Sequence, residues 1–137
     1  MPPSGQFDRK PLHLRETTSD LTKPRIFRAF CASVAGLVSA MKTEAAFRTE
    51  VAMLAVAIPV SFVLTEDFFR RGELIASLLA VLAVELLNTS VEKLCDHTTP
   101  RLDPAIKIIK DLGSAAVFCA LLMAGTVWLG AALARFS

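Results

Sequence analysis

GSAAVFCALLMAGTVWLGAALA, residues 113–134, contains no charged side chain. As a helix at about 1.5 Å per residue it covers about 33 Å, enough to cross the ~30 Å hydrocarbon core of a bilayer. The whole chain has the same character. It has 137 residues, 53% of them hydrophobic, with a mean hydropathy of +0.51. That is too apolar for an ordinary soluble domain, and short enough for a single domain. The expected fold is an all-α membrane protein.

Two further apolar runs precede this one. Residues 51–64 cover only about 21 Å as a helix, and residues 74–84 only about 16 Å. Each crosses a bilayer only if polar neighbours are drawn toward it: Arg48 and Glu50 for the first, Glu85, Asn88 and Glu92 for the second. The expected spans are about 47–66, 73–94 and 113–134. Upstream, Pro24 suits a first helical turn. RIFRAFCASVAGLVSAMK (25–42) then repeats apolar residues at helical spacing between Arg25, Arg28 and Lys42. A basic, one-faced helix of this kind lies in the lipid interface, so a surface helix is expected over about 24–43. Residues 1–23 are polar, with Pro2, Pro3 and Pro11, and read as a flexible tail. They carry neither the apolar core nor the cleavage site of a secretory signal.

Charge gives the orientation and excludes one class of partner. The net charge of +2 is no signal for nucleic acid. Arg25, Arg28, Lys42 and Arg48 precede the first span, and Lys93, Arg101, Lys107 and Lys110 lie between the second and third. The excess of basic residues in these segments puts both on the cytoplasmic side. The polar start of the first span and the polar end of the second then meet on the same, cytoplasmic, side of the membrane. Cys31, Cys95 and Cys119 lack CxxC spacing and read as small hydrophobes.

The chemistry sits at that polar end. Glu85, Asn88 and Glu92 are spaced i, i+3, i+7, which is one helix face. Glu44 and Arg48 form an i, i+4 pair before the first span. An ionised group at mid-bilayer costs about 2.5–3.5 kcal/mol on insertion scales, so these carboxylates need a metal ion, a basic residue or a proton. Interhelical salt bridges, for instance Glu92 with Lys110, or solvated charges at a frayed helix end are the purely structural alternatives. Glu carboxylates and an Asn carbonyl are hard oxygen donors, suited to Mg²⁺ or Mn²⁺. With Lys110 and Asp111 they form a sufficient kit for phosphoryl transfer, which needs positioning, charge neutralisation and a base. No GxxxxGK[ST], GxGxxG, HRD or DFG motif is present. Trp128, well inside the third span, serves either helix packing or contact with a lipid.

Three stretches together, EAAFRTE (44–50), VELLNTSVEKLCD (84–96) and KDLGSAAV (110–117), resemble the prokaryotic diacylglycerol kinase family, in the same order and at the same spacing. The resemblance covers about residues 24–135. It implies a small three-span kinase with an N-terminal surface helix, working as a homotrimer whose sites are shared between neighbours. It implies ATP as phosphate donor, Mg²⁺ as cofactor and the membrane lipid diacylglycerol as acceptor. By resemblance, Glu85 is the catalytic base, and Glu44 and Glu92 are the metal ligands. Asn88, Lys110, Asp111 and Arg25 fall on nucleotide-site positions, and Arg101, Leu102 and Asp103 on the adenosine end. Arg48, Glu50 and Ser114 fall on the lipid side, with Trp128 a further candidate for lipid contact. Thr49 departs from the pattern, standing where relatives often have Gln. Two other functions compete. One is the related undecaprenol kinase, acting on a polyprenol with the same site. The other is a non-catalytic three-helix bundle whose polar residues only hold an oligomer together.

Overall fold

A computed structural model of the chain describes residues 24–98 and 103–137. The tail expected over 1–23, and the site candidates Arg101 and Leu102, lie outside the described residues. Four helices follow one another: α1 (Arg25–Thr43), α2 (Ala45–Leu64), α3 (Phe68–Thr98) and α4 (Pro104–Phe136). No strand occurs among the described residues. The chain divides into two compact units, Met1–Val38 and Ser39–Ser137.

In the first unit the described residues form the greater part of α1. Ile26, Phe27, Phe30 and Val34 are all exposed there. The 13 residues between Arg28 and Lys42 carry no charge. By length and composition α1 is apolar enough to cross a membrane, as are α2, α3 and α4. Four helices rather than three thus meet the requirement for a span. The cause is the uncharged middle of α1, flanked by basic residues at its two ends only.

In the second unit α3 is the central element and packs against both α2 and α4. Two small clusters hold it. Ala40, Phe47 and Leu82 are buried together, with Val51, Leu54 and Leu86 against them. Val81, Ala120 and Ala124 form the second cluster, with Leu78 and Val84 alongside. Small residues on α4 let the two backbones approach closely, the usual device where lipid removes the hydrophobic drive for helix association. Large side chains such as Phe62, Val63, Phe118 and Leu129 point outward, which costs nothing in hydrocarbon. Trp128 closes the far end of the α3–α4 pair, its indole N–H donating to the Leu74 carbonyl at 3.2 Å.

The helix ends differ from the expected spans because capping residues lie outside the apolar runs. Asp67 starts α3 at Phe68: its carboxylate accepts from the backbone N–H of Phe69 at 2.8 Å and of Arg70 at 3.4 Å. Asp103 starts α4, accepting from the Ala105 N–H at 2.8 Å, with Pro104 in the first turn. α4 therefore begins well before Gly113. With 31 and 33 residues, α3 and α4 extend about 46 and 50 Å, longer than a bilayer core. Their polar ends are regular helix that continues past the apolar run. α2 ends at Leu64, where the Thr65 N–H reaches back to the Ser61 carbonyl.

Candidate functional site

The start of α2, the end of α3 and the start of α4 meet at one end of the second unit, and the acidic residues gather there. Glu85 and Asn88 are buried, at 7% and 9% exposure, and Glu92 is half-buried one turn further on. The i, i+3, i+7 spacing read from the sequence is one face of α3, and that face turns inward. Glu85 lies within electrostatic reach of Glu92 and Glu44, and Glu50 on α2 within reach of Glu85. Four carboxylates from two helices and a helix junction thus share one neighbourhood. Glu85 has no hydrogen-bond or ion-pair partner among the described residues.

Asn88 connects this group internally. Its amide Nδ2 donates to Glu92 Oε1 at 3.1 Å. Its Oδ1 is buried without a hydrogen-bond partner among the described residues. That oxygen packs against Gly113 of α4, so closely that a Cβ at position 113 would overlap it. Oδ1 and Nδ2 therefore face different elements, and the bare Gly113 backbone makes room for the first.

Glu44 sits between α1 and α2 and is held from α3. Lys93 Nζ lies 2.8 Å from Glu44 Oε1 and donates to Thr43 Oγ1 at 3.2 Å. The Thr43 hydroxyl donates to the same Glu44 oxygen at 2.7 Å. The hydrogen-bonded Lys93 ammonium, with the Thr43 hydroxyl, keeps the Glu44 carboxyl below the usual carboxylate range. Arg48, taken from spacing as the partner of Glu44, is turned elsewhere. Its guanidinium reaches the last carbonyls of α1, Met41 and Lys42, at 3.5 and 3.4 Å. A cross-helix lysine meets the carboxylate more closely than the i, i+4 arginine does.

At the start of α4, Lys110 pairs with Asp96 of α3 and not with Glu92, and Asp111 pairs with Lys107 one turn back at 2.5 Å. Asp103 is engaged as the α4 cap. Ser114 follows Gly113 and is exposed. Arg25 lies in the first turn of α1, in the other unit. Trp128 is not brought to the carboxylates: its partner Leu74 lies about 16 Å along α3 from Glu85. Glu44, Glu50, Glu85, Asn88 and Glu92 form one group, Lys110 of α4 lies within electrostatic reach of Glu92, and Asp111 is engaged with Lys107 instead.

Sequence reading assigns no site role to three contributors. Asp96 continues the same face of α3 beyond Glu92 and is legible from periodicity. Lys93 is not, because its role depends on where the α1–α2 junction packs. Gly113 carries no local signal, since its bareness matters only against Asn88.

The donor set suits a hard cation, all its ligating atoms being oxygens. Among the described residues no three His, Cys, Asp or Glu side chains are placed to hold a metal by themselves. A divalent ion at Glu44 and Glu92 would therefore fill its shell from water or phosphate oxygens, as Mg²⁺ commonly does.

The sequence model of the prokaryotic diacylglycerol kinase family matches residues 31–131. A diacylglycerol kinase of Pseudomonas aeruginosa is 41% identical over 104 residues, 76% of this chain and 85% of the relative. That of Haemophilus influenzae is 42% identical over 98 residues, 72% and 83% of the two chains. That of Escherichia coli K12 is 36% identical over 104 residues, 76% and 85% of the two chains. The carboxylate-bearing end of the helices lies inside the matched region, and the chain belongs to the prokaryotic diacylglycerol kinase family.

Proposed function

We propose that the protein is an ATP- and Mg²⁺-dependent kinase that phosphorylates the primary hydroxyl of diacylglycerol to phosphatidic acid at the cytoplasmic face of the membrane. The observation that carries this reading is Glu85: a buried carboxylate with no counter-ion of its own, among Glu44, Glu50 and Glu92, in a chain whose relatives are diacylglycerol kinases. Glu44 and Asp96 are each matched to a lysine, and Glu85 is not. A carboxylate left unmatched at the depth where an acyl-glycerol hydroxyl lies is suited to take up a proton.

In this reading the lipid oxygen attacks the γ-phosphorus of ATP, its proton passes to Glu85, and the bond to the bridging β–γ oxygen breaks to release ADP. Glu44 and Glu92 would hold Mg²⁺, and Asn88 fixes the Glu92 carboxylate. Bound Mg²⁺ would neutralise charge on the phosphates, the main requirement of this chemistry. By the resemblance, Lys110, Asp111, Asn88 and Arg25 border the nucleotide, with Arg101, Leu102 and Asp103 toward its adenosine end. Arg48, Glu50 and Ser114 line the lipid side. Trp128 contributes lipid contact only if the substrate's acyl chains extend along the α3–α4 pair. The working unit is a homotrimer with shared sites, α1 lies on the cytoplasmic membrane surface, and α2, α3 and α4 span the membrane.

The test is phosphate transfer from labelled ATP in mixed micelles, with Mg²⁺ and with diacylglycerol and undecaprenol offered side by side. Preferential labelling of diacylglycerol supports the reading. Preferential labelling of undecaprenol keeps the site and changes the substrate. Transfer to neither, by folded protein, leaves a structural helical bundle.

A further inference from the structure

Lys93 is the feature that the proposed kinase chemistry does not use. It belongs to α3, one residue beyond Glu92, yet it turns toward the α1–α2 junction. There it sits 2.8 Å from Glu44 Oε1 and 3.2 Å from Thr43 Oγ1. Thr43 Oγ1 in turn lies 2.7 Å from the same Glu44 oxygen. The three groups form a closed triangle, in which one ammonium neutralises the outermost of the clustered carboxylates. The Lys93 side chain is 55% exposed and that of Glu44 25%, so the pair stands at the water-facing rim of the group. Glu85, deeper, has no such partner.

We infer that Lys93 is a resident counter-ion of Glu44, which an incoming divalent cation must displace, so that this lysine sets the metal concentration at which the site fills. The inference rests on the proposed metal-dependent kinase reading. An ammonium and a divalent ion compete for the same carboxylate: Oε1 is paired with Lys93 at 2.8 Å and also accepts from Thr43, and a metal bonded at about 2.1 Å to either oxygen sets a divalent charge against the ammonium. The lysine also offsets part of the repulsion that Glu44 adds to Glu85 while no metal is bound. Its stem is long and mostly in water, so the ammonium can leave without unfolding the helix end. Exposed ion pairs are weak, which keeps the competition modest. Removing the lysine should tighten metal binding by about two- to five-fold.

The test compares the full-length wild type, Lys93→Met and Lys93→Arg in micelles. Mn²⁺ binding is measured by electron paramagnetic resonance in the presence of a non-hydrolysable ATP analogue, with melting temperature recorded on the same samples. Lys93→Met keeps the apolar stem and loses the charge. It is expected to bind Mn²⁺ two- to five-fold more tightly, while Lys93→Arg stays at or above the wild-type dissociation constant. Equal Mn²⁺ affinity in all three, with melting lowered in Lys93→Met, overturns the inference and leaves Lys93 as a staple between α3 and the α1–α2 junction. Weaker binding in Lys93→Met also overturns it. If the wild type binds no Mn²⁺ under these conditions, the metal-dependent reading itself fails, an outcome distinct from the other two.

Discussion

Asn88 of α3 rests its Oδ1 against the bare backbone of Gly113 on α4, and a side chain of any size at position 113 would overlap it. The same Asn88 gives its Nδ2 to Glu92. A single amide thus couples the closeness of two helices to the orientation of a carboxylate. Gly113→Ala forces Asn88 to rotate or the helices to part. Overpacking of this kind costs about 1–3 kcal/mol. The expected result is a lowered melting temperature together with a loss of kcat/KM for the proposed transfer, about tenfold for each ~1.4 kcal/mol of transition-state stabilisation lost when the Glu92 carboxylate is released from Asn88. Melting curves and initial rates on one preparation check both.

The indole N–H of Trp128 donates to the Leu74 carbonyl, which also accepts from the Ser77 hydroxyl at 2.7 Å. Trp128→Phe removes one donor and leaves that acceptor satisfied. Side-chain hydrogen bonds between membrane helices average about 0.6 kcal/mol, so a small loss of stability is expected, with KM for lipid unchanged. A raised KM at unchanged stability would instead make Trp128 a substrate contact.

Lys93 and Thr43 hold the Glu44 carboxyl below its usual range. A carboxylate stabilised in the fold contributes at pH values above its unfolded pKa, and the contribution disappears as pH falls through the folded value. Wild type should therefore melt higher than Glu44→Gln at neutral pH, and the two curves should converge as the medium is acidified below the usual carboxylate range. The difference is small, because the pair is solvated. A gap that persists at low pH would assign Glu44 a role other than this ion pair.

Periodicity made much of this site legible. Residues 113–134 announce a membrane helix by the absence of charge alone, and Glu85, Asn88 and Glu92 announce one face of a helix by spacing alone. Basic-residue placement brought the polar ends of two helices to one side, and the 2.8 Å contact of Glu44 with Lys93 joins them there. The pairings were not legible. Spacing gave Arg48 to Glu44 and raised Lys110 for Glu92, whereas the fold gives Lys93 to Glu44 and Asp96 to Lys110. Within one helix, spacing determines which side chains are neighbours. Between helices, neighbours depend on register, and α3 meets α4 in a register fixed by Gly113, Ala120 and Ala124, residues with no chemistry to notice. The helix starts at Phe68 and Pro104 were hidden for a similar reason: Asp67 and Asp103 read as loop residues until their carboxylates are seen capping. All four helices are apolar enough to span, because the 13 uncharged residues inside α1 give it the composition of a crossing helix although only its ends carry charge.

The central claim is that Glu85 takes the proton from the lipid hydroxyl, and Glu85→Gln tests it most directly. The change keeps size and removes the base. General-base catalysis contributes about 10²–10⁴-fold, so single-turnover transfer from labelled ATP to diacylglycerol should fall at least 100-fold, with melting temperature and nucleotide binding preserved. Transfer by Glu85→Gln within a few-fold of the wild type, from equally folded protein, would contradict the assignment and leave the buried carboxylate without its proposed role.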